Sequence, residues 1–356
     1  MHSLTFHHYE DTHHLTQLYA GIGLLAKKGL VRCTYERSPA YQILGFGAQL
    51  LTLTLNGQRK IAYDMDDSDR VIPEILQWSE VYFKRSYARE THGRLSAKIQ
   101  PLGLYYMSYA PRMGLGRRLL KNGRSALRGN IADLVKVLAL HSRLVSWLFA
   151  LKGGSSVNWY RRFEGSPNPS REPKIIFLTQ VWNTKNITDR QILEERLDIN
   201  KMRCECIAML RREFPQQFFG GIYPSDYALA VHGNYVIPDR RVFHKKAYLA
   251  RMHDCDIGIA TMGLFGSNGG KLGEYVAASK AIVSERLRYQ VPGDFSSDLN
   301  YLSFATPEEC VAQVRRLVDD FDLRLAMMQR NHQYYSSYLR PDVLVWNSLQ
   351  KAMEAQ

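Results

Sequence analysis

The residues most able to do chemistry lie together between Asp256 and Arg286, in the run DIGIATMGLFGSNGGKLGEYVAASKAIVSER. A short apolar strand ends near Thr261. A loop rich in small residues follows, with Gly263, Gly266, Ser267, Asn268, Gly269 and Gly270. A helix then starts near Lys271. Small residues let a ligand approach the backbone closely, and the first turn of a helix offers unpaired N–H groups at the positive end of its dipole. Lys271 adds a point charge suited to a diphosphate. Glu274, one turn further on, is placed to accept hydrogen bonds from a diol. The loop has neither the G-x-G-x-x-G of dinucleotide binders nor the G-x-x-x-x-G-K-[ST] of P-loop proteins.

Such a loop must be held by a sheet. Lys174–Thr179 is a continuous apolar strand, as in a parallel sheet covered on both faces. A long helix is expected from about Asp189 to Phe214, then a strand at Phe218–Ile222 and a helix at Lys245–Met252. Strands at Asp256–Thr261 and Ala281–Ser284 flank a helix at Gly270–Ser279. Thr306 and Glu309 frame a capped helix start, with Pro307 in its first turn. This alternation predicts a doubly wound α/β domain.

The first half also alternates. A helix over 14–28 carries Leu15, Leu18, Tyr19, Ile22 and Leu25 on one face, with Thr12 to cap it and Gly29 to end it. Strands are expected at Leu30–Tyr35, Gln49–Leu55, Lys60–Tyr63 and Val81–Lys84, in a mostly parallel sheet. The histidines His2, His7, His8, His13 and His14 read as a frayed, exposed end. The Gly- and Pro-rich stretch 152–173 is the best linker. The expected division is therefore residues 1–165, residues 166–338, and a terminal helix over 339–356 that crosses back to the first domain.

The block K-L-G-E-Y-V-A-A-S-K-A-I-V-S-E, residues 271–285, resembles the K-x-x-E-Y-x-A-x-G-K-P-V-V block of GT-B glycosyltransferases. The resemblance covers roughly residues 174–338 and implies two Rossmann-like domains facing each other across a cleft. It implies a nucleotide-sugar donor, with Glu274 on the ribose and Lys271 near the diphosphate. The donor site would also include Ser267, Asn268, Gly269 and Gly270, and the loop carrying Trp182, Asn183 and Lys185. Ser279 and Ala281 stand where the family usually has Gly and Pro. Gly266 stands where many retaining members carry a second Glu, eight residues before the first.

Glycosyl transfer with inversion needs a base for the acceptor hydroxyl. Asp11 and Glu10 follow the first strand, at the edge where ligands bind in open α/β sheets. Asp64, Asp66, Asp67 and Asp69 follow another strand. The candidates are Asp11 first, then Asp66, with Glu10 beside them. Asp64 and Asp66 form a D-x-D similar to the metal motif of the GT-A fold. The donor block points to GT-B, where Lys, Arg and a helix N-terminus stabilise the leaving diphosphate, so no metal or other cofactor is expected.

The formal net charge of +13 favours anionic partners. No zinc-finger, RNA-binding or basic-heptad pattern is present, which disfavours nucleic acid. Residues 112–128 carry Arg112, Arg117, Arg118, Lys121, Arg124 and Arg128 without an acid, and 134–151 is strongly apolar. The pair reads either as packed helices with a solvated basic face or as an interfacial element on an anionic membrane. The second reading suits a glycan or lipid-linked acceptor. No apolar run is of transmembrane length and no signal-peptide pattern opens the chain, so the expected place is the cytoplasm, peripheral to the inner face of the membrane. The five scattered cysteines fit a reducing compartment. Two other functions are compatible with the same scaffold: a non-catalytic binding protein for nucleotide or anionic polymer, and a nucleotide-sugar epimerase.

Overall fold

The computed structural model describes residues 1–9, 12–36, 49–110 and 159–355. Glu10, Asp11 and the basic and apolar stretch 112–151 lie outside the described residues. Two sheets form the frame.

The first has six strands in the order β2-β1-β3-β4-β5-β6. These are β1 (His2–Tyr9), β2 (Val31–Tyr35), β3 (Leu50–Leu55), β4 (Arg59–Asp64), β5 (Val81–Lys84) and β6 (Ile99–Pro101). Strand β1 is interior, parallel to β2 and antiparallel to β3. The histidines of the first strand are therefore not a frayed end. Leu4 and Phe6 are buried on this strand, and His2, His7 and His8 are each half-buried beside them. The sheet is parallel in three of its five pairings, as expected, but β3 runs antiparallel to both β1 and β4. The cause is local. Asn56 and Gly57 take φ values of 54° and 71°, and Gln58 N–H donates to Leu55 O. An Asn-Gly pair in the left-handed region makes a tight hairpin, and a tight hairpin can only join antiparallel strands.

Helix α1 (Thr16–Lys27) connects β1 to β2 and ends as expected at Gly29, whose φ is 72°. Thr12 does not cap it: Thr12 makes no capping hydrogen bond, and a short 3-10 turn, His13–Leu15, leads into the helix. Short helices α2 (Pro73–Trp78) and α3 (Arg89–Leu95) complete the described first half.

The second sheet has five parallel strands in the order β11-β10-β9-β7-β8. They are β7 (Ile175–Thr179), β8 (Phe218–Ile222), β9 (Ile257–Ala260), β10 (Ala281–Glu285) and β11 (Leu302–Phe304). Its connections carry α4 (Arg190–Glu213), α5 (Asp226–His232), α6 (Lys245–Asp254) and α7 (Gly270–Ala277), and α8 (Pro307–Asp319) and α9 (Phe321–Tyr334) follow its last strand. Ile175, Phe177, Ile257 and Ile259 pack with α4 and α8, whereas Ile176, Leu178, Ala260 and Ile282 pack with α6 and α7. Successive side chains thus enter opposite buried faces, which is why these strands read as continuous apolar runs. Asp189 caps α4 through Gln191 N and Ile192 N. Thr306 caps α8 through Glu309 N, while the Glu309 carboxylate takes Ala305 N, one residue before the expected partner.

The final helix, α10 (Pro341–Glu354), leaves the second sheet and packs on α1. Leu344, Val345, Leu349 and Ala352 are buried in the core of the first sheet. A Cβ at Gly21 would stand 2.1 Å from Pro341 O, so only glycine admits this approach. Lys28 pairs with Asp342 at 2.6 Å, and Tyr63 OH meets Ser348 Oγ at 2.8 Å. Two α/β sheets with a helix returning to the first are the arrangement that the GT-B resemblance implies.

Candidate functional site

In the second sheet β7 is laid down first, β8 on one side of it and β9 on the other. The winding reverses between β7 and β9, and ligands of open α/β sheets bind at the carboxyl ends beside such a reversal. The Gly-rich loop 261–269 leaves β9 there and the 180–185 loop leaves β7. Both rest on α4. Arg203, buried on that helix, donates to Gln180 O, Thr261 Oγ1 and Met262 O. Burial pulls its guanidinium down to about 10, with Glu285 opposing the fall. Glu195 accepts from Gly266 N–H and Arg196 donates to Asn183 O.

Within the 180–185 loop, Asn200 brackets Trp182 by accepting from its N–H and donating to its carbonyl, both at 2.8 Å. The indole N–H of Trp182 is buried and unpaired, and Arg196 lies over the ring. Asn183 Oδ1 accepts from Lys185 N–H, and the Lys185 side chain is exposed.

The Gly-rich loop is tightly made. Phe265 and Gly266 both adopt left-handed φ, 60° and 64°. A Cβ on Gly266 would stand 2.9 Å from the Arg288 side chain. Ser267 and Asn268 are buried, so they shape the loop rather than present side chains to the cleft. Gly263 N–H donates to Ser267 O, and Asn268 Nδ2 donates to Tyr289 O. Gly269 is the N-cap of α7 without a capping side chain. The first N–H groups of α7 are thus free of side-chain caps, as an anion site requires.

Glu274, on the next turn, is buried to 6% exposure. Lys245 from α6 meets one carboxylate oxygen at 2.8 Å and Lys271 the other at 3.1 Å. Burial opposes its ionisation, but the ammonium groups of Lys271 and Lys245 prevail and hold the carboxyl at about 2. Tyr248 lies beneath, its hydroxyl kept protonated by burial next to Glu274, and Lys271 stands 3.4 Å from its ring centroid. Lys245 is a partner that sequence reasoning missed, because it comes from a helix 26 residues before Lys271. The departure at Ser279 also has a physical account. Ser279 ends α7 at φ 54°, the conformation usually reserved for glycine, and its Oγ is fixed between Gly165 O at 2.7 Å and His332 Nδ1 at 3.0 Å.

The carboxyl edge of the first sheet faces this loop. Asp64 is buried against Lys84 Nζ at 2.9 Å and accepts from Tyr82 OH, so the D-x-D does not present two free carboxylates. Asp67 pairs with Arg85 at 2.8 Å and Asp69 with Arg288 at 3.1 Å. Asp66 carries no ion pair among the described residues. Its Oδ1 accepts from Ser68 N–H at 2.8 Å. The Asp66 charge raises the pKa of both His14 and Tyr289, which places it among the groups between the sheets. His14 stacks on Tyr105 at 5.7 Å. Burial, His13 and Arg85 together lower its pKa to about 4 despite Asp67 and Asp66. Among the described residues no cluster of three metal-ligating side chains occurs.

No known protein family matches the chain, and no curated protein matches it. Solved structures of similar shape include the C-terminal domain of a group 1 glycosyl transferase from Francisella tularensis, at 12% identity, TM-score 0.34, covering 50% of this chain and 95% of that one. HepE of Anabaena, solved with UDP-glucose, matches at 10% identity and TM-score 0.36 over 99% and 100% of the two chains. A Listeria monocytogenes protein described as a UDP-N-acetylglucosamine 2-epimerase matches at 11% identity and TM-score 0.39 over 99% and 95%. The chain spans 38% of the length of two further glycosyltransferases, TarM of S. aureus and pneumococcal GtfA. Among the described residues no helix is long and apolar enough to cross a membrane.

Proposed function

We propose that the chain transfers a glycosyl group from a nucleotide-sugar donor to a hydroxyl acceptor held between the two sheets. The observation that carries the reading is the uncapped N-terminus of α7, at the winding reversal, with Lys271 and the buried Glu274–Lys245 pair one turn inside it. Backbone N–H groups and Lys271 would meet the charge that develops on the leaving nucleoside diphosphate. Glu274 would turn one oxygen to the ribose hydroxyls, with Lys245 keeping it ionised. The acceptor oxygen would attack the anomeric carbon and lose its proton to a carboxylate of the first sheet's edge, Asp11 before Asp66, with Glu10 adjacent to Asp11. No metal enters this scheme. A glycan or lipid-linked acceptor, brought to an anionic membrane face by residues 112–151, fits the basic and apolar composition of that stretch.

Thermal melts with UDP, GDP, ADP, CDP and dTDP test the reading. A ligand that binds only the folded state raises the melting temperature, and at least one of these is expected to do so in the wild type and not in Lys271→Ala. No stabilisation by any of them would remove the nucleotide site.

A further inference from the structure

Resting on that reading, one residue of the first sheet reaches into the donor loop of the second. Arg85 follows β5 and is 5% exposed. One terminal nitrogen, Nη1, pairs with Asp67 at 2.8 Å and lies 3.3 Å from His14 Nδ1 and 3.4 Å from Met65 O. The other, Nη2, donates to the backbone carbonyl of Asn268 at 3.1 Å. Asn268 is the residue before the N-cap of α7, so its peptide leads directly into the groups that would meet a diphosphate. The guanidinium also lies over the Tyr105 ring at 4.8 Å, and that ring is 3.7 Å from where a Cβ on Gly270 would stand. Both terminal nitrogens of Arg85 are thus held by protein, Nη1 by three partners and Nη2 by the Asn268 carbonyl. The same contact fixes His14. Arginine only donates, so in this contact His14 Nδ1 is the acceptor.

We propose that Arg85 is a positioning residue that aims the Gly269–Lys271 backbone at a diphosphate and fixes that aim relative to the acidic edge of the first sheet. A planar fork is needed, because one guanidinium must serve Asp67 and Asn268 O in different directions. A lysine keeps the charge but reaches only one of them.

The probe is inorganic pyrophosphate, which has no base or sugar of its own, with uridine as the phosphate-free control. Calorimetric titration of Arg85→Lys is expected to show about tenfold weaker pyrophosphate binding. Uridine affinity should be unchanged, a split that a general loss of structure would not produce. Pyrophosphate affinity equal to wild type in a folded Arg85→Lys overturns the inference. Should that variant not fold, Asp67→Asn decides: it leaves the Asn268 contact but frees the guanidinium, and several-fold weakening supports the role where no change overturns it. Failure of the wild type to bind pyrophosphate or any nucleoside diphosphate instead removes the proposed site itself.

Discussion

At the carboxyl edge of the second sheet one carboxylate, Glu274, stands between two ammonium groups, Lys245 and Lys271. At the edge of the first, Asp64, Asp67 and Asp69 are each matched to a cation of their own, Lys84, Arg85 and Arg288. Around Glu274 the second edge therefore holds two ammonium groups to one acid, which suits an anionic ligand. The first holds acids already neutralised, among which Asp66 keeps a free share of its charge. Counting acids along the sequence could not separate them, since three of the four aspartates between 64 and 69 serve ion pairs that form only in the fold.

If the first edge does chemistry and the second does binding, variants of the two should move different quantities. The largest effect is expected at the base. Asp11→Asn should lower kcat by about 10²–10⁴-fold, the usual contribution of a positioned base, with nucleoside diphosphate affinity intact. Full turnover would pass the role to Asp66, tested by Asp66→Asn in the same assay. Activity lost with EDTA and restored by manganese would overturn the metal-free scheme.

Glu274→Ala comes next. It leaves Lys245 and Lys271 facing each other without their acid, so a loss of roughly 3 kcal/mol in denaturant melts is expected, the low end for a buried pair losing one partner. Donor affinity should weaken about tenfold or more, from charge-assisted hydrogen bonds worth roughly 1.5–3 kcal/mol. A folded variant with unchanged affinity would move the donor site elsewhere and end the contrast between the edges.

The last effect concerns acid stability. His14 has a folded pKa of about 4 against an ordinary value of 6.5. Between those values the unfolded chain binds a proton that the folded chain refuses. The contribution is therefore complete above pH 6.5 and is lost as pH falls toward 4, by at most about 1.4 kcal/mol per pH unit. His14→Gln should flatten that limb of the stability curve. An identical slope in the variant would show that His14 is already as protonatable in the fold as in the unfolded chain.

What the sequence disclosed follows from how local each signal was. The strands and helices around Glu274 were legible because each buried face writes its own apolar period, and the loop between them is contiguous. The turn at Asn56-Gly57 was equally local, yet the strands beside it were placed without its consequence, an antiparallel β3. Lys245 and Arg85 were not legible at all. Their partners, Glu274 and Asn268, lie 29 and 183 residues away, and no spacing rule along the chain links them. The N-terminal histidines misled for the opposite reason: polar residues suggested an exposed end, where His2, His7 and His8 lie half-buried on an interior strand with Leu4 and Phe6.

The passage of α10 back onto α1 sets an order on biosynthesis. Leu344, Val345, Leu349 and Ala352 complete the core of the first sheet, but they are made after the whole of the second. A nascent chain that folds from its beginning therefore carries an apolar gap beside Gly21 while the second sheet assembles. The first domain becomes whole only when residues 341–354 have left the ribosome, so the two halves mature together rather than in turn.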